Sequence, residues 1–252
     1  MIPTRRQVLG SGMALGAIAE LLTSTQASEN GTSRKLTIVI AGGHPGDPEA
    51  ACGGTMARLA DLGHDVAALY LTRGERGVQG KTAVEAGTIR THEAQKACAI
   101  LKVRPLFLDQ ADADTVVSGK RYEEFRRRLE VEKPQVVFTH WPIDAHRDHR
   151  ATSLLTYDAW LRGGKPFALY HYEVSTGEET QHFHPTDYVD ITMTEARKRT
   201  ACFAHASQNP ASFYAYHEKM HGFRGFEAGW KRAEAFVHHE QSPPILGLVA
   251  RT

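Results

Sequence analysis

Leu36-Thr37-Ile38-Val39-Ile40-Ala41-Gly42-Gly43-His44-Pro45-Gly46-Asp47-Pro48-Glu49 decides how the chain is read. Residues 36–41 are apolar and mostly β-branched, the composition of a strand buried on both faces of a parallel sheet. The run stops at Gly42-Gly43. A helix is expected soon after, with Pro48 suited to its first turn and Glu49 to the positive end of its dipole. A strand that ends in His-x-x-Asp ahead of a helix sets an imidazole and a carboxylate at the carboxyl edge of a sheet, where α/β folds bind ligands. The expectation is a metal site at that edge.

Outward from this stretch, strands and helices alternate. A helix over 50–62 is followed by a strand over 64–72, a helix over 84–101 and a short strand over 105–108. Tyr122, Phe125 and Leu129 form the apolar stripe of the next helix. A strand over 135–141 then leads to a helix ending near Leu161, strands over 167–174 and 187–191, and a helix over 194–204. A short helix over 231–237 is expected in the tail. Alternation with short connections predicts an α/β fold, a Rossmann-like three-layer sandwich with a mostly parallel sheet. No repeat, linker or second domain interrupts residues 28–252, which are expected to form one domain.

The formal charge of +1 over 252 residues gives no reason to invoke nucleic acid or a membrane surface. Cys52, Cys98 and Cys202 lack Cys-x-x-Cys spacing, so neither a thiolate zinc site nor a redox motif is supported. Residues 1–27 read as a twin-arginine signal peptide. Arg5-Arg6 precedes a weakly apolar stretch, and Thr25-Gln26-Ala27 offers a small-x-small cleavage site. The stretch is too short and too glycine-rich for stable membrane insertion. The expected location is periplasmic or secreted.

Two loops at strand ends carry metal-type side chains. One holds His44 and Asp47; the other holds His146, Asp148 and His149. Two histidines and an aspartate with a water make a catalytic zinc shell that keeps one position open, and other divalent ions accept the same donors.

These residues carry a resemblance. Gly43-His44-Pro45-Gly46-Asp47-Pro48-Glu49 and His146-Arg147-Asp148-His149 resemble the two metal motifs of the LmbE-like (PIG-L) family of zinc-dependent N-acetylglucosaminyl deacetylases. Leu71-Thr72-Arg73-Gly74-Glu75, Arg90 with Glu93, Asp109, His205-Ala206-Ser207-Gln208 and Ala233-Glu234-Ala235-Phe236 are similar too. The resemblance implies Zn2+ held by His44, Asp47 and His149. It implies that His146 stabilises the tetrahedral intermediate and protonates the leaving amine, oriented by Asp148. Arg90 and Asp109, with Arg73, would bind a small-molecule or glycan substrate. The implied reaction removes an N-acetyl group from an amino sugar through zinc-activated water; whether the chain forms a homo-oligomer is left open.

One position departs from the family. Where the family has an aspartate that serves as general base, this chain has Gly46, which takes no proton. Three resolutions stay open. Another carboxylate fills the role, Asp144 first and Glu49 second; or His146 acts as base and acid; or hydrolysis is lost and a metal- or sugar-binding protein remains.

Overall fold

The computed structural model describes residues 35–245. Seven strands form one sheet in the order β3-β2-β1-β4-β5-β7-β6. β1 (Thr37–Gly42) lies between β2 (Asp65–Tyr70) and β4 (Val136–His140), parallel to both, with Ile38 opposite Val66 on one side and Val136 on the other. β3 (Arg104–Phe107) and β5 (Ala168–Tyr172) extend the parallel part outward. The expected mostly parallel α/β architecture is the one observed.

Side chains alternate across β1, so its two apolar faces enter two separate cores. Ile38 and Ile40 pack with Met56 and Leu59 of α1 (Asp47–Asp61) and with Ala97 and Leu101 of α2 (Ala83–Leu101). Val39 and Ala41 pack with Phe125 and Leu129 of α3 (Gly119–Glu132) and with Leu155 and Trp160 of α4 (Arg147–Arg162). After β1 the chain builds β2 and β3 on one side, then returns to lay β4 on the other. The order therefore reverses between β1 and β4, and a crevice opens beyond their carboxyl ends. Both metal-type loops leave from there.

The tail differs from expectation. Residues 233–238 are not helical: β7 (Ala233–His238) runs antiparallel to both β5 and β6 (Asp187–Asp190). Its Ala-Glu-Ala-Phe-Val-His sequence alternates, and pairing on both edges outweighs local helix propensity. Before it, α5 (Glu195–Phe203) leads to α6 (Pro210–Ala228), a long helix where only an aromatic-rich tail was anticipated. The expected signal peptide, residues 1–27, lies outside the described residues. Among those described, no helix is long and apolar enough to cross a membrane.

Close approach fixes α1 on its neighbours. A Cβ at Gly54 would lie 2.6 Å from Cβ of Ile191, and one at Gly53 would lie 2.9 Å from Cγ of Lys198. Gly54→Ala is expected to lose about 1–3 kcal/mol of stability by overpacking. Gly119→Ala, at a site with no atom within 4 Å of the added carbon, is expected to change little. Paired denaturant titrations check the difference.

Candidate metal centre

The loop between β1 and α1 is fixed by its own backbone. His44 N–H donates to Asp47 Oδ2 (2.8 Å), Asp47 N–H to His44 O (3.2 Å), and Gly46 N–H to Glu49 Oε2 (3.1 Å). Gly46 has φ of +109°, a conformation that favours glycine. Beneath the loop lies Arg90, buried, whose Nη2 donates to Pro45 O at 2.6 Å. The glycines of the 73–77 loop make room for it: a Cβ on Gly74 or Gly77 would fall 2.2 or 2.4 Å from Arg90 Nη1.

Three imidazoles converge on Asp47. Its Oδ2 lies 3.2 Å from His44 Nδ1, 3.3 Å from His149 Nε2 and 3.3 Å from His140 Nε2. His149 is backed by Asp144, whose Oδ1 is 3.1 Å from Nδ1. Asp144 Oδ1 also accepts from His146 N–H (2.8 Å), and Oδ2 accepts from Thr180 Oγ1 (3.0 Å). On the other side of His44, Nε2 lies 3.0 Å from Asp148 Oδ2 and 3.2 Å from Asp112 Oδ1. Asp148 in turn accepts from Ala113 N–H and Thr115 Oγ1 (2.8 and 2.6 Å). Among the described residues three overlapping donor groups result: His44, His146 and His149; Asp47, His140 and His149; His44, Asp112 and Asp148.

This donor set fits a divalent cation. The expected trio His44, Asp47 and His149 is divided between these groups, although Asp47 Oδ2 lies within 3.3 Å of both histidines; both expected histidine ligands are oriented by carboxylates on their far nitrogens, the usual outer support of a metal site. The charges say the same. Burial alone would push His149 down, but Asp47 and Asp144 hold it up at about 9; His44 is likewise raised, against burial, by Asp47, Asp112 and Asp148. Burial would raise Asp47, yet His149 and His44 keep it well below the usual carboxylate range. Without metal, two imidazolium protons thus neutralise the acids that a cation would neutralise.

His146 is different. Burial, then the charges of His44 and His149, push it below its ordinary value, so it is neutral at pH 7. As the N-cap of α4 it accepts at Nδ1 from Asp148 N–H (3.2 Å). That bond assigns the proton to Nε2, making this side of the ring a donor.

Several expected roles look different in the structure. The Asp148 carboxylate turns to His44, and only its backbone reaches His146. Both oxygens of Asp144 are engaged by His149, His146 and Thr180, which is the position of a ligand-orienting carboxylate rather than of a free base. Glu49 is equally committed, accepting from Tyr70 Oη and Gly46 N–H. Arg90 grips the metal loop instead of facing solvent. Arg73 pairs with exposed Asp109 at 3.3 Å and lies over the Phe107 ring. Neither has a hydrogen bond or ion pair to the histidine cluster among the described residues.

Two contributors were missed. His140 ends β4, accepts from Gly43 N–H (3.0 Å) and stacks on His149 at 4.0 Å; burial, then His149, lowers it to about 4. Its signal was a histidine closing a buried strand beside β1. Asp112 sits in an unpatterned loop, held by Arg76 N–H (2.9 Å). A further histidine pair, His217 and His221, has the i, i+4 spacing of helical zinc sites, with Glu218 following the first. There Lys198 Nζ lies 2.7 Å from His221 Nε2 and pairs with Glu234, while Glu218 is exposed. An ammonium occupies that place.

Residues 39–160 match a PIG-L (LmbE-like) family domain, GlcNAc-PI de-N-acetylase. Diacetylchitobiose deacetylase of Thermococcus kodakarensis is 28% identical over 206 residues, covering 72% of this chain and 77% of that protein. The crystal structure of conserved protein TT1542 from Thermus thermophilus matches with a TM-score of 0.70 at 28% identity, over 80% of this chain and 94% of that one. GalB, the 4-carboxy-2-hydroxymuconate hydratase of Pseudomonas putida KT2440, shares the fold alone, with a TM-score of 0.72 at 20% identity over 81% and 96% of the two chains.

Two outcomes are expected. Asp144→Asn frees His149 from its orienting charge and should weaken metal affinity about 10–100-fold, read by competition with a chromophoric chelator. The raised histidines also set a pH dependence. His149 folds with a pKa of about 9 against an ordinary 6.5, so its contribution is complete below pH 6.5 and is lost as pH rises through 9. The metal-free protein should therefore lose melting temperature over that interval, and the metal-loaded protein should not.

Proposed function

We propose that the protein is a metal-dependent hydrolase that removes an N-acetyl or related N-acyl group from an amino sugar or glycoconjugate. The observation that carries this is the meeting of His44, Asp47 and His149 with a proton-bearing His146 Nε2 at the crevice between β1 and β4. Deacetylase relatives support N-deacetylation as the chemistry. His44, Asp47 and His149 would hold Zn2+, which when bound polarises the acyl carbonyl and acidifies water. Arg5-Arg6 and the small-x-small site at Thr25-Gln26-Ala27 favour export through the twin-arginine route, to the periplasm or beyond.

The chain's own groups divide the work. Asp144 and Asp148 keep the ligand imidazoles turned inward. Arg90 holds the Pro45 carbonyl and so the loop that carries His44 and Asp47. His146, neutral with its proton on Nε2, donates a hydrogen bond to the carbonyl oxygen as it gains charge, an interaction worth about 10²–10³ in rate where one such donor is removed. A neutral imidazole does this as a donor; surrendering the proton would leave an anion, so the proton for the leaving amine has another source.

A second reading is favoured by Gly46, which places no proton acceptor in the middle of the metal loop: the same pocket binds a metal or a sugar without hydrolysis. Acetate release from a panel of N-acetylated mono- and disaccharides, with bound zinc quantified in the same samples, separates the two. Turnover in wild type and its loss, together with the metal, in His44→Ala is expected. Full zinc occupancy without turnover of any amide or ester would overturn the hydrolase.

A further inference from the structure

Hydrolysis of an amide by water requires an acceptor for the water's proton, and four of the carboxylates around the cluster are already committed. Asp144 and Asp148 each take three hydrogen bonds. Asp112 is engaged by Arg76 N–H and His44, and Glu49 by Tyr70 and Gly46. His146 presents an N–H. Glu179, half-buried and with no side-chain hydrogen bond or ion pair among the described residues, is one free acceptor, on the segment that pairs with Ala145; a second lies beside the metal loop.

His205 supplies it. It precedes the short 3-10 turn Ala206–Gln208 after α5, and its side chain is wholly buried. Nε2 lies at ion-pair distance from Glu49 Oε1, 3.2 Å, but makes no hydrogen bond, and Nδ1 too is buried and has no hydrogen-bond partner among the described residues. A carboxylate on one nitrogen favours the proton there and leaves the other nitrogen with its lone pair. That nitrogen borders the gap beside the metal loop. A Cβ built on Gly46 has Cγ and Nδ1 of His205 as its nearest atoms, at 3.9 and 4.0 Å. The missing side chain of Gly46 is therefore a methyl-sized space with an unpartnered imidazole nitrogen on its far wall, and a buried polar atom in that condition is costly unless it has a use.

We infer that His205 is the general base of this hydrolase, its Nδ1 accepting the proton of the attacking water across the space left by Gly46 while Glu49, held by Tyr70, orients the ring. The inference rests on the hydrolase reading above. As the water's O–H bond breaks, the proton goes to Nδ1 and the oxygen forms the new C–O bond. The imidazolium, offset by Glu49, then gives the proton to the leaving nitrogen as the C–N bond breaks. One water and one amide yield a carboxylic acid and an amine, with His205 restored.

His205→Gln is the informative variant. Its amide N–H can still meet Glu49, but it accepts no proton. With zinc bound, kcat should fall about 10²–10⁴-fold, with KM and zinc content unchanged. Glu49→Gln should lower kcat by less. A readout independent of turnover is the long-range 1H–15N spectrum of metal-free protein, in which His205 should appear as the neutral tautomer protonated at Nε2, with that preference weakened in Glu49→Gln. A His205→Gln rate within a few-fold of wild type, or a proton found on Nδ1 in wild type, would overturn the role of His205 and leave the hydrolase standing. Zinc-loaded wild type without turnover on any substrate would overturn both.

Discussion

One carboxylate oxygen, Oδ2 of Asp47, meets three imidazole nitrogens, and the site is arranged around that meeting. A buried carboxylate needs compensating positive charge, and buried imidazoles accept protons only beside negative charge. Asp47 and the two raised histidines satisfy each other without metal, at the cost of fixing two protons where a cation fits. The sheet makes this meeting possible. Because β1 and β4 are neighbours and parallel, their carboxyl ends release His44 and Asp47 and the His146–His149 segment into the same crevice.

Around this centre each of the two proposed histidine ligands has a keeper. His149 is held by Asp144, Asp144 by Thr180, His44 by Asp148, and Asp148 by Thr115. Arg90 grips the loop backbone from below, where the glycines at 74 and 77 admit its guanidinium. On the remaining side, Tyr70, Glu49 and His205 form a second line of support that reaches Gly46. Asp144, Asp148 and Glu49 are thereby spent on orientation.

Much of this was legible in the sequence because it is local. The strand of residues 36–41 announces itself by composition, and His44, Asp47, His146 and His149 stand in short loops immediately after strands. What was not legible depends on distant partners. β7 is a strand because β5 and β6 pair with its two edges, a fact absent from residues 231–237 themselves. Asp144 looks like a spare carboxylate next to His146 until Thr180, 36 residues on, and His149 claim its oxygens. Arg90 is recognisable as a helix residue, but only the fold shows that it points under the loop. His205 lies far along the chain from Gly46, and their adjacency follows from packing of the segment after α5 against α1.

We propose that the crevice between β1 and β4 is a metal centre built on His44, Asp47 and His149. X-ray absorption at the zinc edge tests it most directly. Zinc-loaded protein should show a shell of nitrogen and oxygen donors, with two imidazoles at about 2.0–2.1 Å and no sulfur. Asp47→Ala should lose one protein oxygen from that shell or lose the metal. A sulfur shell, or a spectrum unchanged by Asp47→Ala and by His149→Ala, would contradict this ligand set.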